Sequence, residues 1–256
     1  MLRSVLGDLR RELLSSVHSR RVAIGNQGPV VSFCFDDFPV TAYTVGGAIL
    51  KSFGARGTYY AAMGLMNTSN HLGDHFSHRD LHSLITDGHE LACHTFSHIS
   101  CRTVPFPEFE ADVNRGRDAI RKTTGYEPVN FSYPFGHVTL TAKKKLSAQL
   151  RSCRGIYGGV NAPTIDLNLL RANGLYGDVD RLPEMESLLS RNAQLGGWLI
   201  FYTHDVRSTP SEFGCTPALL EKVIAAAAGR GSRIVPIDQV VSRAAVITTR
   251  QKLDRA

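Results

Sequence analysis

Short runs of β-branched and aromatic residues alternate with segments of helical period along nearly the whole chain, and this alternation restricts the fold more than any other feature. The runs "PVVSFCF" (29–35), "GTYYAAM" (57–63), "HELACH" (89–94), "VNFSYPFG" (129–136), "CRGIYG" (153–158), "GWLIFYTHD" (197–205) and "RIVPI" (233–237) read as strands. Residues 42–53, 78–88, 106–125, 140–150, 183–194 and 216–231 read as helices, with another from Asp238. Gly88 and Gly125 fall where two of these end, and "TPALL" puts a proline in the first turn of a third. Strands separated by helix-length segments pair in parallel through crossovers. Roughly seven or eight such units close most economically into a (β/α) barrel, with an open doubly wound sheet as the alternative. No Pro/Ser-rich linker divides the chain, so one α/β domain is expected over residues 26–245. Residues 1–25 precede it as an amphipathic helix in which Val5, Leu9, Leu13 and Val17 recur every four residues; residues 246–256 form a tail. The helix would pack on the body or on a partner, which keeps an oligomer open.

Of the 256 residues, 43% are apolar and 20% charged with no block of like charge, a globular composition able to fill a core. The net charge is +6, but apart from the N-terminal stretch and "AKKKL" (142–146) the basic residues are scattered. No nucleic-acid-binding motif accompanies them, so no nucleic-acid partner is expected. No run of 18 apolar residues occurs, so neither is a transmembrane helix. The start, "MLRSVLGDLRRELL", carries charges every few residues rather than the apolar stretch of an export signal, which predicts a cytoplasmic protein. The five cysteines (34, 93, 101, 153, 215) are scattered without a CxxC and suit a core rather than a disulfide framework.

In a barrel the C-terminal ends of the strands share one mouth. Residues able to do chemistry fall at that end of four strands: Asp36 and Asp37 after "VSFCF", His94 and His98 of "HTFSH" after "HELAC", "YPFGH" after "VNF", and His204 and Asp205 after "WLIFYT". Two imidazoles in HxxxH spacing, one helical turn apart, converge on one metal, and a carboxylate completes a three-ligand site with a position left for water. One aspartate of the adjacent pair supplies that carboxylate. The other is free to act as a base on the water, whose pKa the cation lowers toward about 7.

"FCFDDFP", "GHELACHTFSH", "FSYPFG" and "LIFYTHD" resemble, in order and spacing, the successive motifs of the NodB-type polysaccharide deacetylases, carbohydrate esterase family 4, across nearly the whole chain beyond the N-terminal helix. The resemblance implies a distorted (β/α) barrel that removes acyl groups, usually acetyl from N-acetylated sugars. It implies a divalent metal, zinc first, with cobalt, nickel or manganese as alternatives. Asp36 then matches the catalytic base, Asp37, His94 and His98 the metal ligands, and His204 the acid that protonates the leaving amine. The backbone N–H of Phe135 matches the donor to the oxyanion. Two departures stand out. Phe38 and Pro39 follow the aspartates where the family usually has glycine, which would reshape the acyl pocket. Ser132 takes the place of an arginine that contacts the base, which leaves Arg171 as the candidate to tune it. The family's Asp-Trp motif has no clear counterpart, since Trp198 lies within a strand; "GDVDR" (177–181) is the stand-in.

Other residues have two readings. Tyr133 and Phe135 would stack on a sugar or fill the core. Asp205 would orient His204 or cap the next turn. His137 is a candidate for the mouth, and His89 reads as structural. His71, His75, His78 and His82 are spaced for one helical face, solvated or, less simply, a second metal site. The chain thus reads as a metal-dependent hydrolase of an N-acetylated sugar or glycan precursor, a carbohydrate carrying an N-acetyl group being its partner. An amidohydrolase of cyclic imides or ureides and a non-catalytic glycan-binding barrel are the alternatives. With no export signal, a cytoplasmic precursor fits better than cell-wall polymer.

Overall fold

The structure, a computed structural model, describes residues 14–24 and 28–244. Seven strands carry the fold: β1 (Val30–Asp36), β2 (Thr58–Ala61), β3 (Glu90–Cys93), β4 (Asn130–Ser132), β5 (Ser152–Arg154), β6 (Asn173–Gly174) and β7 (Trp198–Thr203). They lie in the order β6–β7–β1–β2–β3–β4–β5, every neighbouring pair parallel, and a short β8 (Arg233–Ile234) also pairs with β1. The sheet curls into an incomplete barrel. Its outer strands β5 and β6 are joined through residues 167–170: Cys153 N–H donates to Leu167 O, Leu170 N–H to Cys153 O and Gly155 N–H to Leu170 O. The expected single-domain (β/α) barrel is the observed architecture, and this irregular closing segment is what distorts it.

The crossover segments are α1 (Ala48–Ser52), which continues a π-helical stretch over Ala42–Gly47, α2 (His78–Thr86), α3 (Phe106–Thr124), α4 (Leu140–Leu146), α5 (Leu182–Leu195) and α6 (Pro217–Gly229). Local chemistry sets their ends. Ser77 and Asp80 form a capping box at the start of α2, Thr216 caps α6 just before Pro217, and Gly125 closes α3 at φ 72°. The N-terminal helix expected within residues 1–25 falls largely outside the described residues; residues 14–16 are helical and lead to a strand, Arg21–Ala23, paired antiparallel with Thr164–Asp166. That pairing, and a hairpin joining Ser69–Asn70 to Gly73–Asp74, had no counterpart in the strand pattern. The hairpin corrects the four-histidine reading: His71 and His75 lie in it rather than on a helical face, and only His78 and His82 share α2.

Alternation along the strands divides the core in two. Phe33, Phe35, Leu91, Phe131, Leu199 and Phe201 belong to the layer beneath the helices. Cys34, Tyr60, Ala92, Trp198, Ile200 and Tyr202 form the barrel interior. Trp198 is fully buried there and donates Nε1–H to Ser32 Oγ at 3.0 Å. At the N-terminal ends of the strands the interior turns polar. Buried Glu90 accepts from Thr58 Oγ1 at 2.8 Å, Asn130 Nδ2 at 2.6 Å and the backbone N–H of Asp238 at 2.9 Å. This carboxylate plugs the base and holds the start of a last helical stretch, residues 237–244, onto it, leaving the opposite end open. Glu90→Ala leaves the buried Thr58 and Asn130 donors and the half-buried Asp238 N–H unpaired and is expected to lose about 2–3 kcal/mol, measured by urea unfolding. An unchanged midpoint would show that the plug carries no stability.

Candidate metal centre

At the open end, β1 delivers Asp36 and the chain turns sharply at Asp37 and Phe38, both at φ 60°. β3 delivers His94, after which Thr95 and His98 also take left-handed conformations, at φ 67° and 53°. "HTFSH" is therefore a strained loop, not a helical turn. Asp112 of α3 holds it by accepting from Phe96 N–H, Ser97 N–H and Ser97 Oγ at 3.0, 2.9 and 2.9 Å. Gly116, one turn further, lets the loop sit against α3: a Cβ there would lie 2.5 Å from Thr95 O. Five non-glycine residues around the mouth (Asp37, Phe38, Thr95, His98 and Phe135) have positive φ, the concentration of strain that packing must hold in place at a functional site.

The loops bring together the three expected ligands. Asp37 Oδ1 is 3.4 Å from His94 Nε2 and 3.1 Å from His98 Nε2, and the three ligand atoms lie within 4.8 Å of one another. Among the described residues this is the one cluster of three or more such groups, so the remaining histidines form no second centre. His94 Nδ1 is 2.8 Å from the Ser132 carbonyl. A carbonyl only accepts, so Nδ1 carries the hydrogen and Nε2 presents its lone pair. Burial lowers the His94 pKa to about 3, and burial lowers that of His98 as well, so both rings are neutral. Asp37 Oδ1 is buried and accepts no hydrogen bond. Burial raises the Asp37 pKa to about 6 despite the opposing field of His204, with Asp36 adding to the rise. Two neutral imidazoles and an unsatisfied carboxylate oxygen fit a borderline divalent cation.

Asp36 is handled differently. Arg154, fully buried at the end of β5, places Nη2 at 2.5 Å from Asp36 Oδ1 and also donates to Ser132 Oγ. The guanidinium expected from the position of Ser132 thus comes from the neighbouring strand. Arg171, the candidate for that task, is exposed and donates instead to Gly158 O at 3.0 Å. Burial raises the Asp36 pKa, but Arg154, His94 and His204 together outweigh it and leave the group below the usual carboxylate range.

His204, just beyond β7, puts Nε2 4.0 Å from Asp37 Oδ2. The Asp205 carboxylate does not bond to the His204 imidazole; it caps the following turn through Ser211 N–H at 2.9 Å. Phe135 lines the mouth, 56% exposed, with its ring 4.5 Å from that of His98. Tyr133 is buried against Phe131 and takes no part in the pocket. Phe38 is buried too, stacked on Phe76 at 4.9 Å, so it leaves the pocket unaltered and braces the turn from behind. Asp178 of "GDVDR" accepts from Thr216 Oγ1 at 2.8 Å, away from the site. His137 contacts the Phe135 ring at 5.6 Å, and His89 is structural, accepting at Nδ1 from Gly57 N–H at 3.0 Å.

The cavity measures about 390 Å³ and has mostly apolar walls, with Ile156, Tyr176, Tyr202 and Phe213 facing the polar centre. Sequence reasoning missed these residues and Arg154. Ser152 and Arg154 share the inward parity of their strand, a cue that three residues show only once the strand's bounds are known; an arginine buried there requires an acid.

Residues 24–151, half of the 256-residue chain, match the family described as Polysaccharide deacetylase. The chain belongs to this family. No curated protein matches it. Among solved structures, the Xyl-CE4 domain of a multidomain xylanase from the hindgut metagenome of Trinervitermes trinervoides superposes with a TM-score of 0.59 at 14% identity, over 85% of this chain and 91% of that one. A family 4 acetyl xylan esterase from Clostridium thermocellum in complex with a cobalt ion gives 0.56 at 18% identity, over 83% and 90%. Peptidoglycan deacetylase PdaC from Bacillus subtilis gives 0.54 at 17%, over 90% and 98%. At such identities the likeness establishes the shared barrel; this chain's chemistry has to come from its own residues.

Two outcomes follow from these electrostatics. A proton on Asp37 competes with a cation, so zinc affinity is level above pH 6 and falls about tenfold per unit below it, as read by calorimetric titration from pH 5 to 8. Affinity that rose on acidification would contradict the ligand set. Arg154→Met strands a buried carboxylate and is expected to lose about 3–5 kcal/mol in urea unfolding, with part recovered in the Arg154→Met/Asp36→Asn double variant.

Proposed function

We propose that this protein hydrolyses the N-acetyl group of an acetylated sugar or glycan precursor, with a divalent metal, zinc in the first instance, held by Asp37, His94 and His98. The observation that carries this reading is the division of labour between adjacent carboxylates. Asp36 is kept ionised by Arg154, while Asp37 faces two neutral imidazoles. When bound, the cation would supply Lewis acidity, making a water acidic near neutral pH and polarising the substrate carbonyl.

The chain's own groups perform the remaining tasks. Asp36 accepts the proton of the attacking water; its pairing with Arg154 keeps it unprotonated beforehand and fixes its orientation. The Phe135 backbone N–H donates to the developing oxyanion. His204 gives a proton to the departing nitrogen as the carbon–nitrogen bond breaks. The apolar cavity excludes bulk water around these charges, which strengthens each of them. The exposed rings of Phe135 and Phe213 at its rim suit the C–H face of a pyranose.

The test is acetate release from short N-acetylglucosamine oligomers by chelator-stripped protein, zinc-refilled protein and Asp36→Asn. Release should require zinc, and Asp36→Asn should lose about 10²- to 10⁴-fold in rate while still binding the metal. Full activity of Asp36→Asn would overturn the base assignment. Zinc-loaded protein that released no acetate but opened a cyclic imide would replace the substrate assignment.

A further inference from the structure

The loop after β7 contains a buried charge with no task in the reaction above. Asp205 has no exposed surface. Besides the Ser211 N–H, its carboxylate accepts from Ser211 Oγ, and Arg207 Nε lies 2.7 Å away. These contacts fold residues 206–215 back on themselves, so that the carbonyl of Phe213 arrives beside β7. There it accepts from Thr203 Oγ1 at 3.2 Å and from the His204 N–H at 3.1 Å, and it lies 3.2 Å from His204 Nδ1. The carbonyl only accepts, so Nδ1 carries a hydrogen and the imidazole is held with Nε2 toward Asp37. The fit leaves no slack: a Cβ on Gly214 would lie 2.4 Å from Asp205 Oδ1. Arg207 extends the arrangement by donating from Nη2 to His71 O at 3.2 Å, which fastens the hairpin that brings His71 and Leu72 to the pocket.

We infer that Asp205 is a positioning residue for proton delivery, acting through the Phe213 carbonyl rather than on the imidazole. This rests on His204 being the acid of the reading above. The carboxylate sets the loop, the loop sets the carbonyl, and the carbonyl aims Nε2 at the leaving atom. When the carbon–nitrogen bond breaks, its electron pair goes to nitrogen, which takes the Nε2 proton of the His204 imidazolium and leaves the neutral ring with its hydrogen on Nδ1. An ill-aimed ring therefore slows the departure of a strongly basic leaving group. It matters much less for an aryl ester, because p-nitrophenolate departs without needing that proton.

The experiment compares zinc-loaded wild type, Asp205→Asn and Ser211→Ala on two substrates: an N-acetylglucosamine oligomer, read by acetate, and p-nitrophenyl acetate, read by p-nitrophenolate. Loss of a general acid's alignment should lower kcat on the amide by about 10- to 100-fold, against a few-fold at most on the aryl ester; a disturbed sugar contact at Phe213 would show instead in KM for the oligomer. Ser211→Ala removes one of the carboxylate's donors from a partly exposed loop position without changing charge, so it carries the test if Asp205→Asn unfolds early in a thermal melt. Equal losses on both substrates would overturn the proposal in favour of a purely structural role, as would no loss on either. Wild type that cleaved the aryl ester but not the amide would instead remove the deacetylase reading on which the proposal stands.

Discussion

The buried ion pair between Asp36 and Arg154 is the interaction on which the rest of this active end depends. Removing two charges from water costs more than their attraction returns unless the geometry is good and further hydrogen bonds satisfy them. Here Arg154 reaches Asp36 across the barrel, with Ser132 Oγ and Gly155 O as further acceptors, and the Tyr60 and Tyr202 rings flank it at 4.8 and 4.9 Å. The pair neutralises one of two adjacent carboxylates that would otherwise repel. What remains uncompensated is the single negative charge of Asp37, facing two imidazole lone pairs. That is a charge balance suited to a dication and unfavourable without one. Asp37 responds to the imbalance with a pKa raised to about 6, chiefly through burial.

Placing these groups requires backbone that few side chains tolerate. Asp37, Phe38, Thr95, His98 and Phe135 each adopt a left-handed conformation at a cost of about 1 kcal/mol or more. The cost is met by packing from behind. Phe38 lies in an aromatic group with Phe76, Tyr59 and Tyr43, and Asp112 and Gly116 on α3 clamp the histidine loop. The Glu90 plug at the other end serves the same purpose at longer range, because strands held in register at their beginnings deliver their ends to defined places. A phenylalanine after the aspartates therefore reads as a brace rather than a change of pocket.

The parallel barrel and three converging ligands were legible in the sequence because both rest on local pattern. Strand period, helix caps and the position of Asp36, Asp37, His94, His98 and His204 after apolar runs can all be read along the chain. What was not legible depends on contacts between distant segments. Arg154 was hidden because its partner lies 118 positions away, and because strands as short as β5 give little periodicity to show which side chains face inward. The segment closing the barrel was missed for a related reason: residues 167–170 bridge two strands through backbone bonds that require no particular side chains. The histidine series at 71–82 misled because its spacing matches a helix, while Gly73 at φ 104° bends the chain into a hairpin first.

The displaced arginine bears on how such a site tolerates change. Ser132 and Arg154 sit on adjacent parallel strands, in register and directly paired. A guanidinium projecting inward from either position reaches the same point near Asp36, because neighbouring residues of the same parity point into the same small volume. The requirement is for a positive charge and two donors at that point, not for an arginine at one place in the chain. The serine left behind then becomes useful, since its carbonyl fixes His94 and its hydroxyl accepts from Arg154. The carbonyl is available from any residue, but the hydroxyl contact needs a small side chain there: an arginine at 132 would compete with Arg154 for one buried space and one carboxylate.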